Sequence, residues 1–213
     1  AAAKAQYLDA TRAVPSSGWA FVALGSYYAR LGDRERAMSA YRQALEAEPA
    51  RVDAYSALAS LYLKMGQAAD ALAQYKAATR ISPGVSSPWI GLGDHYNTRG
   101  QTDSAVEAYQ QAVEVEPGSV AAWLGLGGVF EAHSEAAQAL EAYEQALALE
   151  PGNPSVHLAL AEFYRGQGEG QKAEEVYQQA AALDQGQADP LLRLAGLYLA
   201  QGQREGAIPP YQQ

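Results

Sequence analysis

The sequence contains no cysteine. That absence excludes a disulfide framework, thiolate-held zinc and a cysteine nucleophile. It also lacks a basic excess: 15 Lys and Arg stand against 24 Asp and Glu, a net charge of −9. A surface with that balance repels phosphate, so no nucleic-acid partner is expected. No apolar run approaches the roughly 18 residues of a membrane span, so no membrane insertion of this segment is expected. The opening AAAKAQYLDA carries no apolar core of a signal peptide. The compartment stays open, with the cytoplasm slightly favoured. The three histidines, His95, His133 and His157, have no metal-ligand spacing, and no GxSxG, phosphate loop or dinucleotide fingerprint occurs. The expectation is therefore no enzyme, no metal and no cofactor. Eleven Arg against four Lys, with abundant Ala, fits a GC-rich bacterial source.

What is present is a beat. Prolines stand at Pro15, Pro49, Pro83, Pro117 and Pro151, each 34 residues after the last. Tyr7, Tyr41, Tyr75, Tyr109, Tyr143, Tyr177 and Tyr211 keep the same interval, as do Ala3 to Ala207 and Leu24 to Leu194. A fixed period of this length marks stacked repeats. With each unit numbered 1 to 34 from Gly18, the chain holds a half repeat (1–17), five full repeats (18–51, 52–85, 86–119, 120–153, 154–187) and a truncated one (188–213).

Within a unit, slots 4, 7, 8 and 11 are apolar or small, the spacing of one helix face. Slots 20, 24 and 27 form a second face. Glycine at slot 15 (Gly32, Gly66, Gly100, Gly168, Gly202) closes the first helix, and proline at slot 32 stops the second. Each unit is thus an antiparallel helix pair. Small residues at slots 8, 20 and 27 permit close approach, and bulky ones at 4, 11 and 24 fill the space beside them. One pair cannot bury its stripe alone, so neighbours must stack.

These slots resemble the tetratricopeptide repeat signature, and the repeat at 86–119 matches it throughout: Trp89, Leu92, Gly93, Tyr96, Ala105, Tyr109, Ala112 and Pro117. The resemblance covers essentially the whole chain. It implies an all-α, right-handed superhelical solenoid of antiparallel helix pairs, forming a single array over 1–213. The matching residues are packing residues, so they define the fold far better than the function.

Four positions depart from the pattern. His157 occupies slot 4, where aromatic or large apolar residues stand elsewhere. Ser134 replaces the turn glycine, which predicts a tighter or less regular turn. Gln185 replaces proline, which predicts a helix that runs on. Pro209 and Pro210 fall inside the last second helix, which predicts an incomplete final pair. The chain begins and stops within a repeat, so it reads as a piece of a longer array, and exposed ends predict end-to-end self-association.

The resemblance implies that the first helix of each unit lines a concave groove, through slots 2, 5, 6, 9, 12 and 13. These slots carry no Lys/Arg and Asn clamp for a C-terminal carboxylate, and slot 6 carries no asparagine ladder. They carry an apolar strip flanked by small residues, where a partner backbone can lie close. The expected apolar contacts are Trp19, Val22, Ile90, Leu124 and Leu158. Net charges of −4, −5 and −3 over 86–119, 120–153 and 154–187 bring Asp94, Glu131 and Glu162 to the same face, for basic residues of a partner. The function expected is a non-catalytic scaffold binding a peptide or helix segment, apolar with basic residues. Two alternatives are the recognition arm of a larger multidomain enzyme such as a transferase, and a structural module assembling end to end.

Overall fold

The computed structural model describes residues 9–10, 13–14, 16–183 and 189–202. The expectations at Gln185, Pro209 and Pro210 lie outside them. The chain divides into two compact units, Ala1–Pro117 and Gly118–Gln213. Unit one contains α1 (Gly18–Arg30), α2 (Arg34–Ala47), α3 (Val52–Lys64), α4 (Ala68–Ile81), α5 (Ser86–Thr98) and α6 (Thr102–Val115). Unit two contains α7 (Val120–Ala132), α8 (Ala136–Leu149), α9 (Pro154–Gly166), α10 (Gly170–Leu183) and α11 (Asp189–Ala200). No strand occurs among the described residues.

Helices pack in pairs, α1 with α2, α3 with α4 and α5 with α6 in unit one, and α7 with α8 and α9 with α10 in unit two. Each second helix also packs on the first helix that follows it within its unit. Second helices end at Ala47, Ile81, Val115 and Leu149, two residues before each slot-32 proline. Local capping fixes several starts. The Ser17 hydroxyl accepts from the Ala20 amide at 3.4 Å, and Asp33 Oδ1 accepts from the Arg36 amide at 3.2 Å. Asn153 accepts from the Ser155 amide at 2.9 Å, just before Pro154 at the first helical position.

The turn glycines Gly32, Gly66, Gly100, Gly168 and Gly202 all sit at positive φ, between 67° and 77°. That conformation lets the next amide reach back to the first helix. Asp33, Gln67, Gln101 and Glu169 donate to Tyr28, Tyr62, Tyr96 and Tyr164 at 2.9 to 3.0 Å. Ser134 does not give the tighter turn its identity predicts. It adopts the same left-handed conformation, φ 61°, and the Glu135 amide reaches Phe130 O at 2.9 Å. The same reverse hydrogen bonds close the turn, and serine accepts the strained angle.

The cores follow the slots. In unit one, Leu24, Tyr28, Tyr41, Leu58, Tyr75 and Leu92 are buried together among Ala37, Ala59 and Ala71. In unit two, Ala161, Ala173, Tyr177, Leu194 and Leu197 form a buried cluster. Slot 8 is small because the slot-24 ring lies on it. A Cβ on Gly93 would stand 2.6 Å from Tyr109 Cε1.

His157 fits slot 4 by a shared polar contact. The Tyr55 hydroxyl donates to Pro49 O at 3.2 Å, and Trp89 Nε1 donates to Pro83 O at 3.0 Å. His157 Nε2 lies 3.0 Å from Pro151 O, the same reach from slot 4 to the preceding slot 32. A flat ring with a polar tip is what the site asks for. His157 is buried, its Nδ1 has no partner, and burial lowers its pKa, so the neutral ring donates through Nε2.

Candidate functional site

Within each unit the first helices carry the predicted contact residues on one face. In unit one, Trp19 on α1 is 58% exposed, and Val22 is half-buried against the core. Ile90 on α5 is half-buried, and Asp94, one turn on, is exposed. In unit two, Leu124 and Glu131 on α7 and Leu158 and Glu162 on α9 are all half-buried, with Leu158 packed against the unit-two core. Further large apolar side chains share this face: Leu63 on α3, and Leu192 and Leu199 on α11.

The slot-24 tyrosines also reach the face, and periodicity alone did not reveal it. Each rises from the second helix, crosses under slot 8 and ends beside a polar group of its own first helix. The Tyr41 hydroxyl lies 3.3 Å from Ser26 Oγ. The Tyr109 hydroxyl donates to Asp94 Oδ1 at 2.5 Å, and the Tyr143 hydroxyl to Glu131 Oε2 at 2.8 Å. Burial, then the adjacent carboxylate, pushes both phenols well above their ordinary value, so they are fixed donors rather than bases. Burial raises Tyr75 in the same way, against a hydrogen bond with Ser60. The signal was in the sequence as a compensation. Slot 9 is Ser26, Ser60, Asp94 and Glu162 in four repeats, and where it is Gly128 the polar partner moves to slot 12 as Glu131.

Glu162 is placed differently from the other two acids. Arg165 Nε donates to it at 2.8 Å and Arg193 Nη1 at 2.7 Å, the latter from α11. Burial pushes its carboxyl up, but the hydrogen bonds from Arg193 and Arg165 outweigh that and hold it below the ordinary carboxylate range. The buried Tyr177 hydroxyl beside it has no partner in hydrogen-bonding geometry. It nevertheless lies near enough to Glu162 that burial and this carboxylate raise its pKa. Glu162 is thus already neutralised by its own chain, and Asp94 and Glu131 are the acids oriented by a neutral donor.

Two recesses open on this face. One in unit one, about 400 Å³, is lined by Ala29, Tyr41, Ala57, Ser60 and Lys64. One in unit two, about 500 Å³, is lined by Glu162, Arg165, Tyr177, Arg193 and Gly196. Among the described residues no cluster of three or more acidic or histidine side chains could hold a metal, and no helix is long and apolar enough to cross a membrane. The arrangement offers apolar contact, hydrogen bonding and charge.

Helix pairs of constant length, stacked on one another within each unit, define a helical-repeat scaffold. Two family profiles, both described as tetratricopeptide repeat, match the chain, one over 90–154 and one over 28–93, 130–179 and 164–209. The chain belongs to the tetratricopeptide repeat family, whose members generally mediate protein–protein interactions. No curated protein matches it. Among solved structures it is similar to PilF of Pseudomonas aeruginosa, at 25% identity and TM-score 0.75, over 91% of this chain and 88% of that one. It is similar to TTC0263, a tetratricopeptide repeat protein of Thermus thermophilus, at 26% identity and TM-score 0.72, over 86% and 100%. It also shares the fold of Cut9–Hcn1 from an APC/C hetero-tetramer, at 20% identity and TM-score 0.79 over 96% of this chain, and spans 41% of that chain.

Proposed function

We propose that this chain is a non-catalytic protein-binding scaffold that docks a peptide or helical segment of a partner on its first-helix faces. The observation that carries the reading is the set of exposed large apolar side chains at these slots. Trp19 and Leu63 are 58% and 41% exposed in unit one, and Leu192 and Leu199 are 47% and 48% exposed in unit two. Single exposed apolar residues are ordinary, but their recurrence at first-helix slots within each unit is an arranged pattern. An exposed tryptophan supplies a large, rigid anchor. Val22 and Ile90 add apolar surface to the first-helix face of unit one, and Leu124 and Leu158 to that of unit two, and the small residues beside them let a partner backbone approach.

The tyrosine pairs add orientation. Hydrogen bonding to Tyr109 and Tyr143 fixes the Asp94 and Glu131 carboxylates without neutralising them. Lys or Arg of a partner segment is therefore steered to α5 and α7, with a salt dependence, while Glu162 contributes less.

The test combines Ile90→Asp with Leu124→Asp. Both side chains are half-buried, so each tolerates a polar replacement without opening a core. Cross-linked capture of a partner segment should be lost while the helical circular dichroism stays intact. Capture at wild-type level by the folded double variant overturns the reading.

A further inference from the structure

Unit one contains a cavity of about 750 Å³ between α4 and α6, floored by α5. Its floor is Trp89, Leu92 and Tyr96, at slots 4, 7 and 11, on the side of α5 turned away from Ile90 and Asp94. The cavity has a traceable origin. Slot 28 of a second helix leans toward the next first helix. It is Leu45 in the first full repeat, packed against the unit-one core, but Thr79 in the second. Slot 23 of the following second helix is Gln74 in the first case and Ala108 in the second. In unit two the matching pair is Leu147 and Val176. Thr79 and Ala108 are both buried, and their small volumes leave a recess over Trp89 and Tyr96, which are half-buried, while Leu92 itself stays buried.

The rim is charged. Lys76 and Arg80, one turn apart on α4, are exposed. Arg80 Nε donates to Lys76 O at 3.1 Å, and Lys76 Nζ stands 6.0 Å from the centre of the Tyr96 ring. Neither is in an ion pair among the described residues. Across the cavity Glu107 is the lone lining carboxylate, so the rim carries a positive excess on a chain of net charge −9. On α6 the lining runs from Ser104 to Gln111, two helical turns or about 10 Å, which suits a run of backbone better than a lone ring.

We propose that this cavity is a second docking site, taking a Phe or Leu side chain of a protein segment whose neighbouring residues are Asp or Glu. The apolar floor receives the side chain, and Lys76 and Arg80 receive the carboxylates. Its charge preference is opposite to that of the first-helix face, and it stands independently of that reading.

The experiment is fluorescence polarisation of the full chain with three labelled, end-capped heptapeptides: Phe flanked by Glu and Asp, Phe flanked by Lys, and the acidic peptide with Ala for Phe. The acidic Phe peptide should bind at least about tenfold more tightly than the other two at low salt. Thr79→Leu installs the residue of the matching slot in the first full repeat, fills the cavity and should weaken binding at least about tenfold with unchanged circular dichroism. Lys76→Glu with Arg80→Glu, both on the surface, should abolish the preference for acidic flanks. No binding, equal binding of acidic and basic peptides, binding indifferent to Thr79→Leu, or competition by free phenylpropionate as strong as by the peptide overturns the proposal. Ile90 and Leu124 are untouched throughout, so failure here leaves the first-helix face standing.

Discussion

Replacing Ser134 with glycine should stabilise the second unit, and the gain can be worked from the turn. Ser134 sits at φ 61° in the position where five other repeats place glycine at 67° to 77°. The hydrogen bonds around it match theirs, with Ser134 N reaching Glu131 O at 3.0 Å and Glu135 N reaching Phe130 O at 2.9 Å. A left-handed conformation costs an L-residue roughly 1–2 kcal/mol that glycine avoids. Glycine gives back roughly 0.4–1 kcal/mol through its freer unfolded chain. The net expectation is a gain of about 1 kcal/mol. With a urea m-value of about 2 kcal/mol/M, the midpoint rises by about 0.5 M at constant m. The assay is urea unfolding followed by circular dichroism and by the fluorescence of Trp123, which lies in unit two. Gly100→Ala is the converse, introducing a side chain at φ 67° where nothing lies within 4 Å of the new Cβ. It should lose about 1 kcal/mol from backbone strain alone. A neutral or destabilising Ser134→Gly, together with a neutral Gly100→Ala, would refute the strain argument.

Stability should also depend on pH through the buried histidines. Burial lowers the pKa of His157, and burial with the Arg99 and Lys76 charges lowers that of His95. Folded values below the unfolded one of about 6.5 mean stability is full above about pH 6.5 and is lost as pH falls through the folded values. Urea midpoints should drop across that window, and less so in His157→Tyr, which keeps a donor for Pro151 O as Tyr55 does for Pro49 O; equal drops would contradict this. Tyr109→Phe removes a donor to Asp94 and should cost about 0.5–1.5 kcal/mol by urea unfolding; no loss would show that the pair is incidental. Gly93→Ala puts a Cβ 2.6 Å from Tyr109 Cε1 and needs the ring to shift, as the matching rings make room for Ala59 and Ala161, whereas Gly93→Val adds two methyl groups to that collision and should cost more, about 1–3 kcal/mol. Equal losses would mean that the ring does not set the limit.

The fold was legible because its determinants are single residues at fixed slots. Helices begin at Gly18, Val52, Ser86, Val120 and Pro154, the first slot of each unit, and five turn glycines take positive φ. What the slots hid were terms between residues. Tyrosine at slot 24 reads as packing, and only the stacking of the pair shows its hydroxyl meeting Asp94 or Glu131. Arg193 meets Glu162 from 31 positions away, so pairing across repeats removes a charge that composition had counted as available. At Ser134, residue type weighs the cost of a left-handed turn but not the hydrogen bonds from Ser134 and Glu135 that close it. The cavity over Trp89 needed two small residues, Thr79 and Ala108, placed opposite each other by different repeats.

The central claim is that partners dock on the first-helix faces, and site-specific photo-cross-linking tests it most directly. A photoreactive residue would be placed singly at Val22, Ile90, Leu124 and Leu158, and for comparison at Ser39, Glu141 and Glu175 on outer positions of second helices. The account predicts cross-links to a partner segment from the first set, with those from Val22 and Leu158 lost when Ile90→Asp and Leu124→Asp are added. Cross-links confined to Ser39, Glu141 and Glu175 would contradict it.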